Sequence, residues 1–160
     1  HLRKNKSVQK GMTNNFLFSS YIYPMEKDLT LAQAIEHVKN FHHAFLLPVR
    51  QEPAAHIPEK EMTLRFNLMK EENEEYWEAA KNGDIVEIAD ALGDMLYILC
   101  GTINAHGLQQ VMAPVFEEIQ RSNMSKLDAN GQPIFREDGK VMKSELYFKP
   151  NIAKAMGMEG

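Results

Sequence analysis

The sequence predicts an all-α fold: a bundle of four to five helices with a C-terminal hairpin-like arm. Three observations predict it. Apolar residues recur at three- and four-residue steps from Leu29 to about Arg121. The breaks between these runs are short and carry Pro, Gly, Asn and Asp. Turn signals with β-like spacing appear only after Asn123. Helices joined by short connections pack as neighbours around one core.

Each element has its own signal. Thr30 is placed to cap a first helix with apolar positions Leu31, Ala34, Ile35, Val38, Phe41 and Phe45, and Pro48 is expected to stop it. Pro48, Pro53 and Pro58 make residues 48–58 an irregular connection. A second helix runs from about Glu59 to Lys81, opened by Pro58 and closed by Asn82-Gly83. Asp84 caps a third, from about Ile85 to Ala105, closed by Gly107. A fourth covers about Gln109 to Arg121, with Pro114 in its first turn or kinking it. Between Leu127 and Met142, Asn130-Gly131 and Asp138-Gly139 flank Ile134, Phe135 and Val141 and read as a hairpin or irregular β-like arm. Pro150 to Met156 is expected to form a last short helix.

Composition bounds the function. The 160 residues are one domain's worth, and 44% hydrophobic with 25% charged residues suits a soluble globular protein. A net charge of -4 argues against a nucleic-acid polymer or an anionic membrane as partner. The uncharged stretch Met95 to Val115 contains Asn104, His106, Gln109, Gln110 and Pro114 and is no membrane span. A single cysteine, Cys100, excludes a disulfide scaffold and makes a reducing, cytoplasmic setting the default. The N-terminus does not read as a secretory signal. The chain opens on His1, with Met12 and Met25 as plausible starts, so residues 1–24 are expected to be an extension outside the fold and residues 25–160 the domain.

The informative stretch is Glu71 to Asp94. On the third helix, Ile85, Ile88, Leu92, Met95, Leu96, Leu99 and Ile103 form the apolar stripe, while Glu87, Asp90 and Asp94 share an arc of roughly 60° on another face. Asp94 is the only charge between Ala91 and Ala105, so the helix is expected to be buried nearly all round. On the second helix, Glu72 and Glu75 fall inside a broad apolar face and Glu71 at its border. Antiparallel packing through Asn82-Gly83-Asp84 would bring both acidic sets together. Clustered carboxylates repel and hold protons more tightly. A hard divalent cation relieves this: Mg²⁺ takes such oxygens and substrate phosphates, and Mn²⁺ fits the same ligands. Arg65, on the face of Glu72, is the nearest candidate for a basic partner instead.

Other chemistries are poorly supported. No glutamate has a histidine three residues on, and no HExxH, zinc-ligand spacing, nucleophile elbow or P-loop occurs. His42-His43 reads as a helix surface and Cys100 as inert core. After the acidic helices comes a basic set, Arg121, Lys126, Arg136, Lys140 and Lys143. A metal with Lys and Arg is the combination that holds a polyphosphate. Asn123, Lys126, Lys140 and Lys143 are the candidate phosphate contacts.

The order Glu71-Glu72-x-x-Glu75, a gap, then Glu87-x-x-Asp90 resembles the metal motif of the all-α nucleotide pyrophosphohydrolase superfamily. Leu64-Arg65, the run Asp90 to Tyr97, Gly101-Thr102, Ser122 to Lys126, and Phe41-His42 with Leu47-Pro48 look like its MazG-like, phosphoribosyl-ATP-pyrophosphohydrolase-type branch. The likeness covers about residues 29–150. It implies a helical homodimer or dimer of dimers, Mg²⁺ on the acidic set, and hydrolysis of a (deoxy)nucleoside triphosphate to monophosphate and pyrophosphate. Glu72, Glu75, Glu87, Asp90 and Asp94 are then the metal ligands, the second pair being Glu87/Asp90 or Asp90/Asp94. Glu71 or Glu72 orients or deprotonates the attacking water. Phosphoribosyl-ATP pyrophosphohydrolase of histidine biosynthesis is the alternative enzyme. A non-catalytic helical oligomerisation or interaction module is the alternative from another class.

Overall fold

Thr30 opens the first helix, α1 (Leu31–Ala44), with a reciprocal cap. Its hydroxyl accepts from the Gln33 amide, and the Gln33 side chain accepts from the Thr30 amide at 2.8 Å. The structure is a computed structural model and describes residues 28–158. Expectations for residues 1–24 lie outside the described residues. The other helices are α2 (Glu59–Asn82), α3 (Ile85–Ala105), α4 (Met112–Met124) and a single turn, α5 (Ile152–Ala155).

The stop of α1 is not Pro48. Leu46 takes a left-handed conformation, φ 56°, and the Leu47 amide folds back onto the His42 carbonyl at 2.7 Å. The helix therefore ends at Ala44. The turn is closed locally, with the Leu46 amide on the His43 carbonyl at 3.3 Å beside the Leu47–His42 bond.

The α2–α3 joint matches its chemistry. Gly83 sits at φ 69° and closes α2 with its amide on Ala80. The Asp84 carboxylate then accepts from the amides of Val86 (3.0 Å) and Glu87 (3.2 Å) and starts α3. A joint this short makes the two helices antiparallel neighbours.

α3 is the central element, with α2 along one side and α1 along another. The core lies between α1 and α3: Ile35, Val38, Cys100 and Ile103, with Leu31, Ala34, Leu108 and Met112 packed against them. Asn104, fully buried, donates its amide to the Ile35 carbonyl at 3.0 Å and ties α3 to α1. The connection 48–58 straps across the end of this pair. Its Arg50 donates to both Glu61 carboxylate oxygens and to the Ala105 carbonyl, while the Arg50 carbonyl accepts from Gln109.

α4 begins three residues later than its apolar pattern suggested, after a turn at 108–111 in which the Val111 amide bonds Leu108. Pro114 sits in its first turn, where no amide is missed. Beyond Val115, α4 leaves the core and pairs with α5 and the arm: Glu118 accepts the Asn151 amide, and Ser122 donates to the Phe148 carbonyl. The arm is hairpin-like, with an antiparallel bridge between Phe135 and Val141 and turns at Gly131 and Gly139.

One expectation fails within a single chain. α3 is not buried all round: Leu92, Leu96 and Leu99 are each nearly half exposed, with Trp77 and Phe66 of α2 more so. Two helices cover only part of its circumference, and α4, which would have covered more, turns away. Among the described residues no helix is long and apolar enough to cross a membrane.

The Arg50–Glu61 pair gives the strap an acid limit. The guanidinium holds the Glu61 carboxyl below its ordinary 4.5. A depressed folded value means that the stabilisation is complete above 4.5 and lost as the pH falls through the lower folded value. Glu61→Gln should therefore lower the Tm at pH 7, and its deficit against the wild type should close as the pH falls below 4.5. Melting curves that stay parallel over that range would remove the pair from the stability of the strap.

Candidate active site

Leu68, Glu72 and Tyr76 follow one another at four-residue steps along the side of α2 that is half-buried. Glu72 is thus a carboxylate placed in an apolar row. Its Oε2 is buried and has no hydrogen-bond partner among the described residues. Burial pushes its carboxyl above the ordinary range, and Glu75, Asp94, Glu71 and Asp90 push it further, in that order. Two helices have folded so that five carboxylates share one field.

The register follows from the joint. Glu72 lies eleven positions before Gly83 and Asp94 eleven after, which sets them at the same level of an antiparallel pair. Asp90, one turn earlier on α3, faces the level of Glu75 and Tyr76. Glu87 is in the first turn of α3, ~10 Å further along the axis than Asp94, and is absent from the charges acting on Glu72. Of the two pairings open to the sequence, the geometry brings Asp90 and Asp94 to Glu72. Contrary to the sequence-derived expectation, Glu75 and Asp94 are exposed in one chain, as are Glu71 and Asp90.

No three carboxylate, histidine or cysteine side chains among the described residues converge as metal ligands. The donor set nonetheless fits a hard cation. It is all carboxylate, it surrounds an orphaned buried oxygen, and its exposed members can change rotamer without breaking a hydrogen bond.

Arg65 does not neutralise the cluster. It lies seven residues before Glu72 and turns towards Gly101, with Glu61 as the one carboxylate acting on it. His42, expected on a helix surface, is 3% exposed. Its Nδ1–H donates to the Pro48 carbonyl at 3.0 Å, and burial pushes its pKa below the ordinary 6.5. His43 is the exposed member of the pair. Together with Tyr97, Leu68 and Ile98, His42 and Arg65 line a cavity of about 170 Å³ against Gly101. The sequence offered no clear signal for it, since Gly93 of the same helix has open space where Gly101 meets Arg65 and His42.

The basic arm is organised but stands apart. Lys126 donates to Asn123 Oδ1 at 2.8 Å, Lys143 lies 4.3 Å from the centre of the Tyr147 ring, and Lys140 is exposed. Ser144 pins the arm to the Ser125 and Leu127 carbonyls. Among the described residues no hydrogen bond or ion pair joins the segment 123–150 to α2 or α3. The cations were expected beside the acidic cluster. In one chain they are held instead on α4, because α4 packs on α5 and the arm.

A family model described as phosphoribosyl-ATP pyrophosphohydrolase matches residues 38–123. The match spans just over half of the chain and includes all six acidic candidates. It gives no support to a purely structural interaction module. No curated protein matches the chain.

Glu72 supplies a test that needs no substrate. Its folded pKa is raised, so the ionised form costs stability above that value, and the cost disappears below the ordinary 4.5. Glu72→Gln should therefore raise the metal-free Tm at pH 7, with the gain shrinking as the pH is lowered towards 4.5. A lower Tm at pH 7 would mean that Glu72 is a structural anion with a partner.

Proposed function

We propose a function from one premise: the chain belongs to the phosphoribosyl-ATP pyrophosphohydrolase family. It is therefore a hydrolase acting on a phosphoric anhydride bond. Our reading is that it cuts a nucleotide's triphosphate between the α and β phosphorus atoms, releasing the monophosphate and pyrophosphate. Phosphoribosyl-ATP is the first candidate, since the family's description names it, and other (deoxy)nucleoside triphosphates form the wider class. The observation that carries this reading is the unpartnered Glu72 oxygen inside a ring of like charges.

Glu72, Glu75, Asp90 and Asp94 would hold a divalent cation, Mg²⁺ or Mn²⁺. When bound, such an ion draws phosphate oxygens to the carboxylates and lowers the pKa of water. Glu71, exposed beside Glu72, would orient the attacking water and accept its proton at a carboxylate oxygen. Lys126, steadied by Asn123, offers a compact cation for the charge that develops on the leaving pyrophosphate, with Lys140 and Lys143 as further donors. The exposed row Leu92, Leu96 and Leu99 supports a homodimer or dimer of dimers, and a second copy is the means by which an arm could approach the carboxylates.

Pyrophosphate release from phosphoribosyl-ATP and a panel of nucleoside triphosphates, with and without Mg²⁺, is the deciding assay. Glu75→Gln and Asp94→Asn should each lose roughly 100-fold or more in kcat while remaining folded. Lys126→Ala should lose about 10- to 100-fold in kcat/KM, the cost of one charged hydrogen bond, with little change in Tm. Metal-independent turnover, or full activity in both acidic variants, would sink the reading. Sedimentation at micromolar concentration should give at least roughly twice the 18.3 kDa chain mass. A single species at the chain mass would remove the assembly.

A further inference from the structure

We propose that Asn130 is a self-modifying position. The backbone nitrogen of Gly131 attacks the Asn130 side-chain carbonyl carbon, a C–N bond forms, and ammonia leaves with the proton that the nitrogen gives up. Water then opens the five-membered imide at one of its two carbonyls, leaving aspartate or isoaspartate. The reaction needs water alone and is independent of the pyrophosphohydrolase reading.

The sequence offers two places for it. Asparagine is a chemically labile residue, and a following glycine, without a Cβ, leaves the attacking nitrogen unhindered. Such pairs occur at Asn82-Gly83 and Asn130-Gly131. The fold separates them. Asn82 is the last residue of α2, and the Gly83 amide donates to the Ala79 and Ala80 carbonyls. Ring closure there requires the end of α2 to unwind, and with it the joint that sets α2 against α3. Asn130 lies outside any helix, in an exposed turn of residues 128–131 closed by the Gly131 amide on the Asp128 carbonyl at 3.0 Å. A solvent-exposed bond of that kind opens at little cost. The Asn130 side chain makes no hydrogen bond among the described residues, so its amide is free to turn onto Gly131.

The other turn of the arm is an internal comparison. Residues 136–139 are closed in the same way, with the Gly139 amide on the Arg136 carbonyl at 2.9 Å, and the residue before that glycine is Asp138. Its carboxylate is held by the Arg136 guanidinium and the Lys140 amide. The bond from Arg136 keeps the Asp138 carboxyl below its ordinary 3.8. An ionised carboxylate resists attack by a nitrogen, and this one is also tethered. At the matching position Asn130 is uncharged and untethered.

The product alters the arm. Asp128 Oδ1 accepts from the Asn130 amide at 2.8 Å and from the Gln132 amide at 2.7 Å. A carboxylate at 130 stands two residues from that anion, and isoaspartate adds a carbon to the backbone between the two amides. Residues 123–150 hold five Lys or Arg and four Asp or Glu, so one new negative charge cancels their positive surplus. That charge arises on the segment that carries Lys126, Lys140 and Lys143.

The test is ageing of the purified full chain in mildly alkaline buffer, followed by peptide mapping with mass spectrometry and by isoaspartate detection. The peptide holding Asn130 should convert to the acid, with isoaspartate as one product, about tenfold or more faster than the peptide holding Asn82. In denaturing urea the two rates should converge, because the helix that restrains Asn82 is gone. Asn130→Gln, whose longer side chain would need a six-membered ring, should stay intact at that position while melting as the wild type does. No conversion at Asn130 while the urea-unfolded chain converts overturns the proposal, as do equal rates at Asn82 and Asn130 in the folded chain. Conversion at Asn130 without isoaspartate also overturns it, since direct hydrolysis of the amide bypasses the imide.

Discussion

The Gly83–Asp84 joint fixes α2 against α3, because the left-handed Gly83 closes one helix while the Asp84 carboxylate takes up the first amides of the next. With so short a link the register has little freedom. Glu72 must face Asp94, although both are acids. One residue inserted in α3 ahead of Asp94 would swing it by about 100° away from that face. The repulsion around Glu72 is therefore a consequence of local capping chemistry, imposed on side chains that would separate if the helices could slide. The apolar contacts of α3 with α1 and α2 outweigh that repulsion, and the cluster persists as a stressed, anionic groove.

Where capping residues act on their own neighbours, the fold was legible in the sequence. Thr30 with Gln33, Gly83, and Asp84 each satisfy amides or carbonyls within four residues, so α2 and α3 ended where their chemistry said. The end of α1 was different. Pro48 is the obvious breaker, yet the reversal comes earlier, at Leu46, where it lets Arg50 reach Ala105 and Glu61. The start of α4 was displaced for a similar reason, since Leu108 and Met112 are held by the α1–α3 core.

The candidate site divides in the same way. Helical periodicity put Glu72 on an apolar face and placed Asp90 and Asp94 on one side of α3, and a short joint was enough to bring them together. The seven-residue spacing already put Glu87 about 10 Å from Asp94 along the axis, but the face that it shares with Asp90 and Asp94 concealed that it lies outside the field at Glu72. Arg65 and His42 were misjudged because the groups that position them, Gly101 and Pro48, belong to other elements. Lys126 and its arm were expected at the carboxylates because charge complementarity carries no information about which helix an arm packs on.

Arg50 has a bearing on the order of assembly. Its side chain is satisfied by Glu61, eleven residues away, and by Ala105, fifty-five residues away. Neither partner alone fixes the segment. The strap over residues 48–58 has its full set of bonds only when α2 lies along α3, because Arg50 needs both partners together. Gly107 tightens this dependence: an added Cβ there would fall 2.1 Å from the Glu52 carbonyl, so strap and helix end meet backbone to backbone. The strap is thus a latch on a finished hairpin, and proteolysis at the Pro53–Ala54 region would report how often that latch opens.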